Sequence, residues 1–242
     1  MQTPTYKELL DAGCHFGHMK RKWNPKMRQY IFMERKGIHV IDLNRTVECL
    51  ERAGNALRQM AKSGKKILFV GTKKQARGII ENAANSVGMP FVSDRWLGGM
   101  MTNFSTIRKS VRKMQTIERM LADGTLENIT KKERLVLSRK HEKLHRMFGG
   151  IAQLNRLPNA LLVVDVSHEH LAIAEATRLG IRTIGVVDTN SDPTIVDFAV
   201  PSNDDASKAI AIIIDYLTAA VKQGLEDRKN DKEDNKDSSE AE

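Results

Sequence analysis

Residues 160–164 read Ala-Leu-Leu-Val-Val, five apolar side chains in a row with no polar alternation. Successive side chains of a strand point to opposite faces, so such a run requires cover on both sides. Helices supply that cover in a parallel sheet. KKILFVGT (65–72) and RTIGVVDT (182–189) repeat the pattern, and PFVSDRW (90–96) and FAVPS (198–202) predict shorter strands. Between them, Ala76, Ile79, Ile80, Ala83 and Val87 recur at helical spacing before Gly88 and Pro90. HEHLAIAEATRLG predicts a second helix ending at Gly180. A last helix is expected from about Asp204 to Gln223, with Asn203 as N-cap and Asp204 and Asp205 in its first turn. Strands alternating with helices define an α/β fold: a parallel sheet flanked by helices.

More than 60 residues separate the strands at 90–96 and 160–166, too many for one crossover helix. Phe104, Ile107, Val111, Met114 and Leu121 recur at near-heptad spacing, then a turn is expected at Asp123-Gly124. Thr130 and Glu133 form a capping box, and Leu137, His141, Leu144, Phe148 and Ile151 continue at intervals of four and three. The pattern predicts an inserted antiparallel coiled-coil hairpin over 102–154, in a globular domain made of 1–101 and 155–225. The alternative is two helices folded flat on that domain. Nearer the N-terminus, PTYKELLDAG predicts a short helix and HFGHMKRKWNPKM a loop. Two short strands should flank Arg35-Lys36-Gly37, and a helix capped by Asn44 follows. Residues 226–242 lack apolar periodicity and are expected to form a disordered acidic tail.

Charge narrows the function. The formal net charge is +9, but residues 1–150 carry 30 Lys/Arg against 13 Asp/Glu, while 151–242 carry 9 against 17. A basic half of this kind is the electrostatic footprint of a nucleic-acid binder; a solvated basic surface is the plainer alternative. There is no apolar run long enough to span a membrane. Two cysteines, Cys14 and Cys49, make no disulfide framework, and the opening MQTPTYKELLDAG lacks the apolar core of a signal peptide. A cytoplasmic location is expected.

Three segments carry chemistry. GTKKQ (71–75) follows a strand where doubly wound folds place a phosphate loop, but it has neither the Walker spacing nor three spaced glycines. Simple turn chemistry and contact with a phosphate both remain open. HFGH puts His15 and His18 three apart. His18 with Asp188 and Asp205, expected at the carboxyl edge of the sheet, could hold a structural divalent ion such as Zn or Mg. Equally, each residue could serve a turn or a helix dipole. MKRKWNPKMRQY interleaves Lys20, Arg21, Lys22, Lys26 and Arg28 with Trp23 and Tyr30, a pattern suited to phosphates and unpaired bases. The alternative role for Trp23 is a core anchor. RWLGGMMTNF then leads into a helix bearing Arg108, Lys109, Arg112 and Lys113 with no acid among them. An enzyme using Lys73, His18 and Asp188 on a phosphorylated substrate is the rival class, and it lacks a recognisable acid–base pair or nucleophile.

The strings AGCHFGH, KWNPKM, YIF, GIHVIDL, VGTKKQA, RWLGGMMTNF, FGGI, VVDTNSDP and PSNDDA run in order from about Pro4 to Gly224. Together they resemble the ribosomal protein S-two family of the small ribosomal subunit, in its bacterial form. The resemblance implies a flavodoxin-like sheet with a protruding coiled-coil hairpin and a non-catalytic, structural role in translation with no required cofactor. It also implies binding to small-subunit rRNA between head and body, and docking of ribosomal protein S-one. The residues expected at the rRNA are Lys20, Arg21, Lys22, Asn24, Lys26, Arg95, Asn103, Arg108, Lys109, Arg112 and Lys113. Gly98 and Gly99 are expected to let backbone N–H groups approach phosphate.

Overall fold

The computed structural model describes residues 3–123 and 130–240. Its centre is five strands: β4 (Ile67–Val70), β5 (Phe91–Val92), β6 (Ala160–Val164), β7 (Arg182–Val187) and β8 (Phe198–Pro201). They pair in parallel in the order β5-β4-β6-β7-β8. Numbered within the sheet that order is 2-1-3-4-5, the flavodoxin-like arrangement. Along β4 the side chains alternate between two cores. Phe69 faces one that includes α2 (Leu43–Lys62), α3 (Arg77–Ser86) and α7 (Ser207–Glu240). Leu68 and Val70 face another, with α6 (His170–Leu179) and parts of α4 (Phe104–Ala122) and α5 (Lys131–Phe148). Ile210, Ile213, Ile214, Leu217 and Val221 of α7 are all buried, a stripe at helical spacing. A fully buried side chain of this size contributes about 1.5–3 kcal/mol.

The N-terminal segment adds a second sheet. After α1 (Tyr6–Asp11) come β1 (Phe16–Met19), β2 (Ile31–Arg35) and β3 (Ile38–Ile41), paired antiparallel in the order β1-β3-β2. Lys36 and Gly37 both have positive φ, 52° and 76°, as a two-residue hairpin turn requires. The sequence predicts only a loop where β1 lies, because Phe-Gly-His-Met has no alternation; long-range pairing with β3 makes the strand. Two helix starts also differ from expectation. Asp42, rather than Asn44, caps α2 by accepting the Asn44 N–H. Asn203 accepts from the N–H groups of Asp205 and Ala206, a turn that precedes α7 instead of opening it.

Past the last apolar stripe α7 runs on through Glu240. Arg58 pairs with Asp227 at 2.8 Å and Lys62 with Asp231 at 3.1 Å, fastening the polar extension to α2. Between β5 and β6, α4 begins with Ile107, Val111 and Met114 in the same core as Phe148 at the end of α5 and Ile151 in the turn after it. The start of one helix thus meets the end of the other. The predicted capping box opens α5, with Thr130 and Glu133 exchanging both bonds. The expected turn beginning at Asp123 runs into residues outside the described ones.

Candidate nucleic-acid interface

In a parallel sheet every strand ends on the same side, and here that carboxyl edge gathers most of the predicted site residues. The loop after β7 draws in the N-terminal segment: His18 N–H donates to Thr189 Oγ1 at 2.8 Å, and Asn24 N–H to the Thr189 carbonyl at 2.8 Å. Only Gly17 permits this approach, since a Cβ there would lie 2.6 Å from Thr189 Cγ2. The loop after β5 carries Arg95 and Asn103. Three strand spacings, about 14 Å, separate β5 from β7.

The predicted RNA cations fall into two groups. Lys20 pairs with Glu34 at 2.7 Å, and Lys26 reaches Asp192 at 2.6 Å and Thr194 at 3.1 Å. Asn24 uses its side-chain oxygen to cap the turn at Lys26. Arg108 donates to Asn155 Oδ1 at 2.8 Å and to the Ala152 carbonyl, tying α4 to the segment after α5. By contrast, Arg21, Arg95, Lys109 and Arg112 are exposed, and their side chains make no hydrogen bond or ion pair among the described residues. Lys22 is exposed near Asp205. Asn103 is also exposed, at the N-cap position of α4 with no capping bond from its side chain. Across the two helices the Lys113 ammonium stands close enough to Lys140 to push its pKa down. Like charges brought together on a solvated surface favour an anionic partner. Trp23 is half-buried, tilted against His39 at 5.0 Å between ring centroids.

RWLGGMMTNF is organised by a residue the sequence reading missed. Glu175 of α6 accepts hydrogen bonds from Trp96 Nε1 and from the N–H groups of Gly99, Met101 and Thr102, and from Thr102 Oγ1. Burial raises the pKa of Glu175, but these bonds outweigh it and hold the carboxyl below its ordinary value. The Gly99 N–H therefore serves an internal carboxylate rather than a phosphate. Glycine is required there by its φ of 87°. Nothing local in the sequence marks Glu175; its partners lie more than 70 positions away.

GTKKQ is likewise closed. Glu169 accepts from Thr72 N–H at 2.8 Å and Thr72 Oγ1 at 2.5 Å, filling the phosphate position at the β4–β6 switch point. Lys73 points into carboxylates: Asp204 at 2.6 Å, Asp205 at 2.7 Å and Asp165 at 3.1 Å. Burial opposes the Lys73 charge, yet Asp204 and Asp205 raise its pKa. His18 joins the cluster, Nδ1 3.0 Å from Asp188 Oδ2 and Nε2 3.4 Å from Asp205 Oδ2. The hydrogen bond to Asp188 raises the His18 pKa. Asp204 is pushed up to about 7 by burial and by the charges of Asp165 and Asp188. The predicted trio His18, Asp188 and Asp205 does meet, but its buried third carboxylate is Asp204; the Asp205 side chain is 56% exposed. Asp165 was findable, since VVDV ends β6 as VVDT ends β7. Cys14 is buried, with its thiol pushed up to about 11 by burial, so it is no nucleophile.

Comparison with known proteins agrees with this architecture. The family model described as ribosomal protein S2 matches residues 9–224. The small ribosomal subunit protein uS2 of Bacteroides fragilis strain ATCC 25285 is 56% identical over 234 residues, covering 97% of this chain and 84% of that protein. That of Cytophaga hutchinsonii is 56% identical over 231 residues, with 96% and 91% covered. That of Porphyromonas gingivalis strain W83 is 55% identical over 232 residues, with 96% and 83% covered. The chain belongs to the ribosomal protein S2 family, and so to the non-enzymatic, structural proteins of the small ribosomal subunit.

Proposed function

We propose that this chain fastens to small-subunit rRNA through its exposed cations Arg21, Lys22, Arg95, Lys109, Arg112 and Lys113, in the cytoplasmic ribosome. The observation that carries this is the juxtaposition of Lys113 and Lys140 across α4 and α5, with Lys109 and Arg112 unpaired beside them. Phosphates would neutralise that excess and release counterions. Asn103 offers a free amide at the root of α4 for a sugar or base edge. Lys20, Asn24, Lys26 and Arg108, already bonded within the protein, act by holding these segments in place and contribute to RNA only secondarily. In this reading α4 and α5 form the coiled-coil arm of residues 102–154, presented to RNA along its basic side.

Ribosomal protein S-one takes a different surface. Phe16, Phe32, Met33 and Ile38 of the small sheet are exposed beside Tyr6 and Leu10 of α1, and Phe32 is 71% exposed. A contiguous apolar patch suits a protein partner better than a polyanion.

The full chain bound to small-subunit rRNA tests the first reading. With about five phosphate contacts, log affinity should fall with log salt at about −0.7 per contact for single strands, and more steeply for duplex. Replacing Lys109, Arg112 and Lys113 by Glu should weaken binding and flatten that slope while circular dichroism stays constant. An unchanged slope would remove α4 from the interface. Phe32→Glu should weaken purified S-one binding and leave rRNA affinity intact; equal S-one affinity would refute the patch.

A further inference from the structure

The loop between β5 and α4, residues 93–103, carries two of the proposed RNA contacts, Arg95 and Asn103, both exposed. The residues beside them are fixed. Arg77 of α3 donates to Asp94 at its Oδ1 and at its carbonyl, each at 3.1 Å. Trp96 is buried and donates its indole N–H to Glu175 Oε1 at 3.1 Å. Toward the other end, Thr102 donates its N–H at 2.9 Å and its hydroxyl at 3.0 Å to Glu175 Oε2. The N–H groups of Gly99 and Met101 complete the set, and the Asn103 N–H bonds back to the Gly99 carbonyl at 2.8 Å. One carboxylate on α6 thus holds the residue after Arg95 and the residue before Asn103, and with them the spacing of the two.

We infer that Glu175 is a positioning residue for rRNA binding, which fixes the loop so that Arg95, Asn103 and the basic side of α4 are presented together. This role rests on the rRNA reading of those residues and adds one that itself meets no RNA. The arrangement demands a carboxylate. Oε1 faces two donors and Oε2 faces three, and no partner is an acceptor. Glu175→Gln turns one oxygen into an NH2 that meets donors whichever way the amide is flipped. Because Glu175 uses the N–H groups of Gly99, Met101 and Thr102, the loop offers RNA the side chains of Arg95 and Asn103 instead. The Asn103 carbonyl in turn accepts from the N–H groups of Thr106 and Ile107, so the end of the loop sets where α4 and its cations begin. A loop ordered before RNA arrives avoids the entropy loss that a free loop suffers on binding.

Full-length wild type, Arg95→Ala, Glu175→Gln and the double variant are compared for affinity to a small-subunit rRNA transcript at one salt concentration. Each single change should weaken binding by about two- to tenfold, the ordering cost of one mobile side chain. The double variant should fall within about twofold of the weaker single, because a released loop no longer delivers Arg95. In Glu175→Gln, amide hydrogen exchange should quicken at Gly99, Met101 and Thr102 and stay unchanged in β4, β6 and β7. Thr102→Val removes one exposed donor and keeps the carboxylate, so it serves as a second probe where Glu175→Gln folds poorly. Its loss should be smaller and coupled to Arg95→Ala in the same way. Losses that simply multiply in the double variants, as independent structural damage gives, would overturn the positioning role. Wild-type affinity in folded Glu175→Gln protein, with Arg95→Ala weakened, would remove that role alone. Full affinity of Arg95→Ala would remove the rRNA reading of Arg95 and the positioning role with it.

Discussion

Two carboxylate sites a few strands apart solve the burial of negative charge in opposite ways. Glu175 is surrounded by neutral donors: one indole N–H, three backbone N–H groups and one hydroxyl. Its charge is spread over dipoles that ask for no second ion, and the loop 96–102 is shaped around it. At the ends of β6, β7 and β8 the carboxylates face each other, with Lys73 and His18 between them and Asp204 Oδ2 unmatched. The first arrangement is complete within the chain. The second leaves Asp204 Oδ2 without a hydrogen-bond partner among the described residues.

The largest expected effect is at the complete site. Glu175→Ala strips the acceptor from five donors at once, and urea unfolding should show a loss of about 2–4 kcal/mol, nearer the lower figure because the side chain is only partly buried. A loss below about 0.5 kcal/mol would mean the loop holds its shape without Glu175. Gly17→Ala attacks the other site through the backbone, forcing β1 away from Thr189 and His18 from Asp188. A cost of about 1–3 kcal/mol is expected, with the Glu175 loop unaffected. Replacing each carboxylate by its isosteric amide sharpens the contrast. In metal-free buffer Glu175→Gln should cost about 1–2 kcal/mol, while Asp204→Asn should change stability by less than about 1 kcal/mol because it also removes repulsion from Asp165 and Asp188. Equal losses would erase the distinction drawn here.

The smallest effect is in pH. Glu175 has its pKa lowered in the folded chain from an ordinary 4.5, so near pH 4 the unfolded chain binds more protons. Wild type should hold its full advantage over Glu175→Gln above about pH 4.5. That advantage should shrink as acid titrates the folded carboxylate. Denaturation curves of both proteins between pH 3 and pH 7 would test it, and a constant difference would contradict the assigned charge.

Much of the fold is legible locally. Uninterrupted apolar runs mark β4, β6 and β7, and the alternation with helices predicts the parallel sheet found in the fold. The basic character of the N-terminal half is equally plain in the chain. The strand β1 is not, because its pairing with β3, Phe16 opposite Val40, is decided by residues distant in sequence. The ion pairs of Arg58 with Asp227 and Lys62 with Asp231 are likewise set between residues distant in sequence.

The candidate site divides along the same line. His18 and Asp188 are recognisable from residue type and place, but Asp204 and Asp205 are neighbours that no pattern ranks, and burial alone separates them. Composition likewise supplies the cations without telling Lys26, bound to Asp192, from Arg112, whose side chain has no partner among the described residues. The amino-acid order by itself determined the architecture and the family, because periodicity and motif strings are properties of neighbouring residues. The folded chain alone decided which charges are spent internally and which remain to meet another molecule. Electrostatic pairing depends on distances between residues far apart in sequence, and only packing sets those distances.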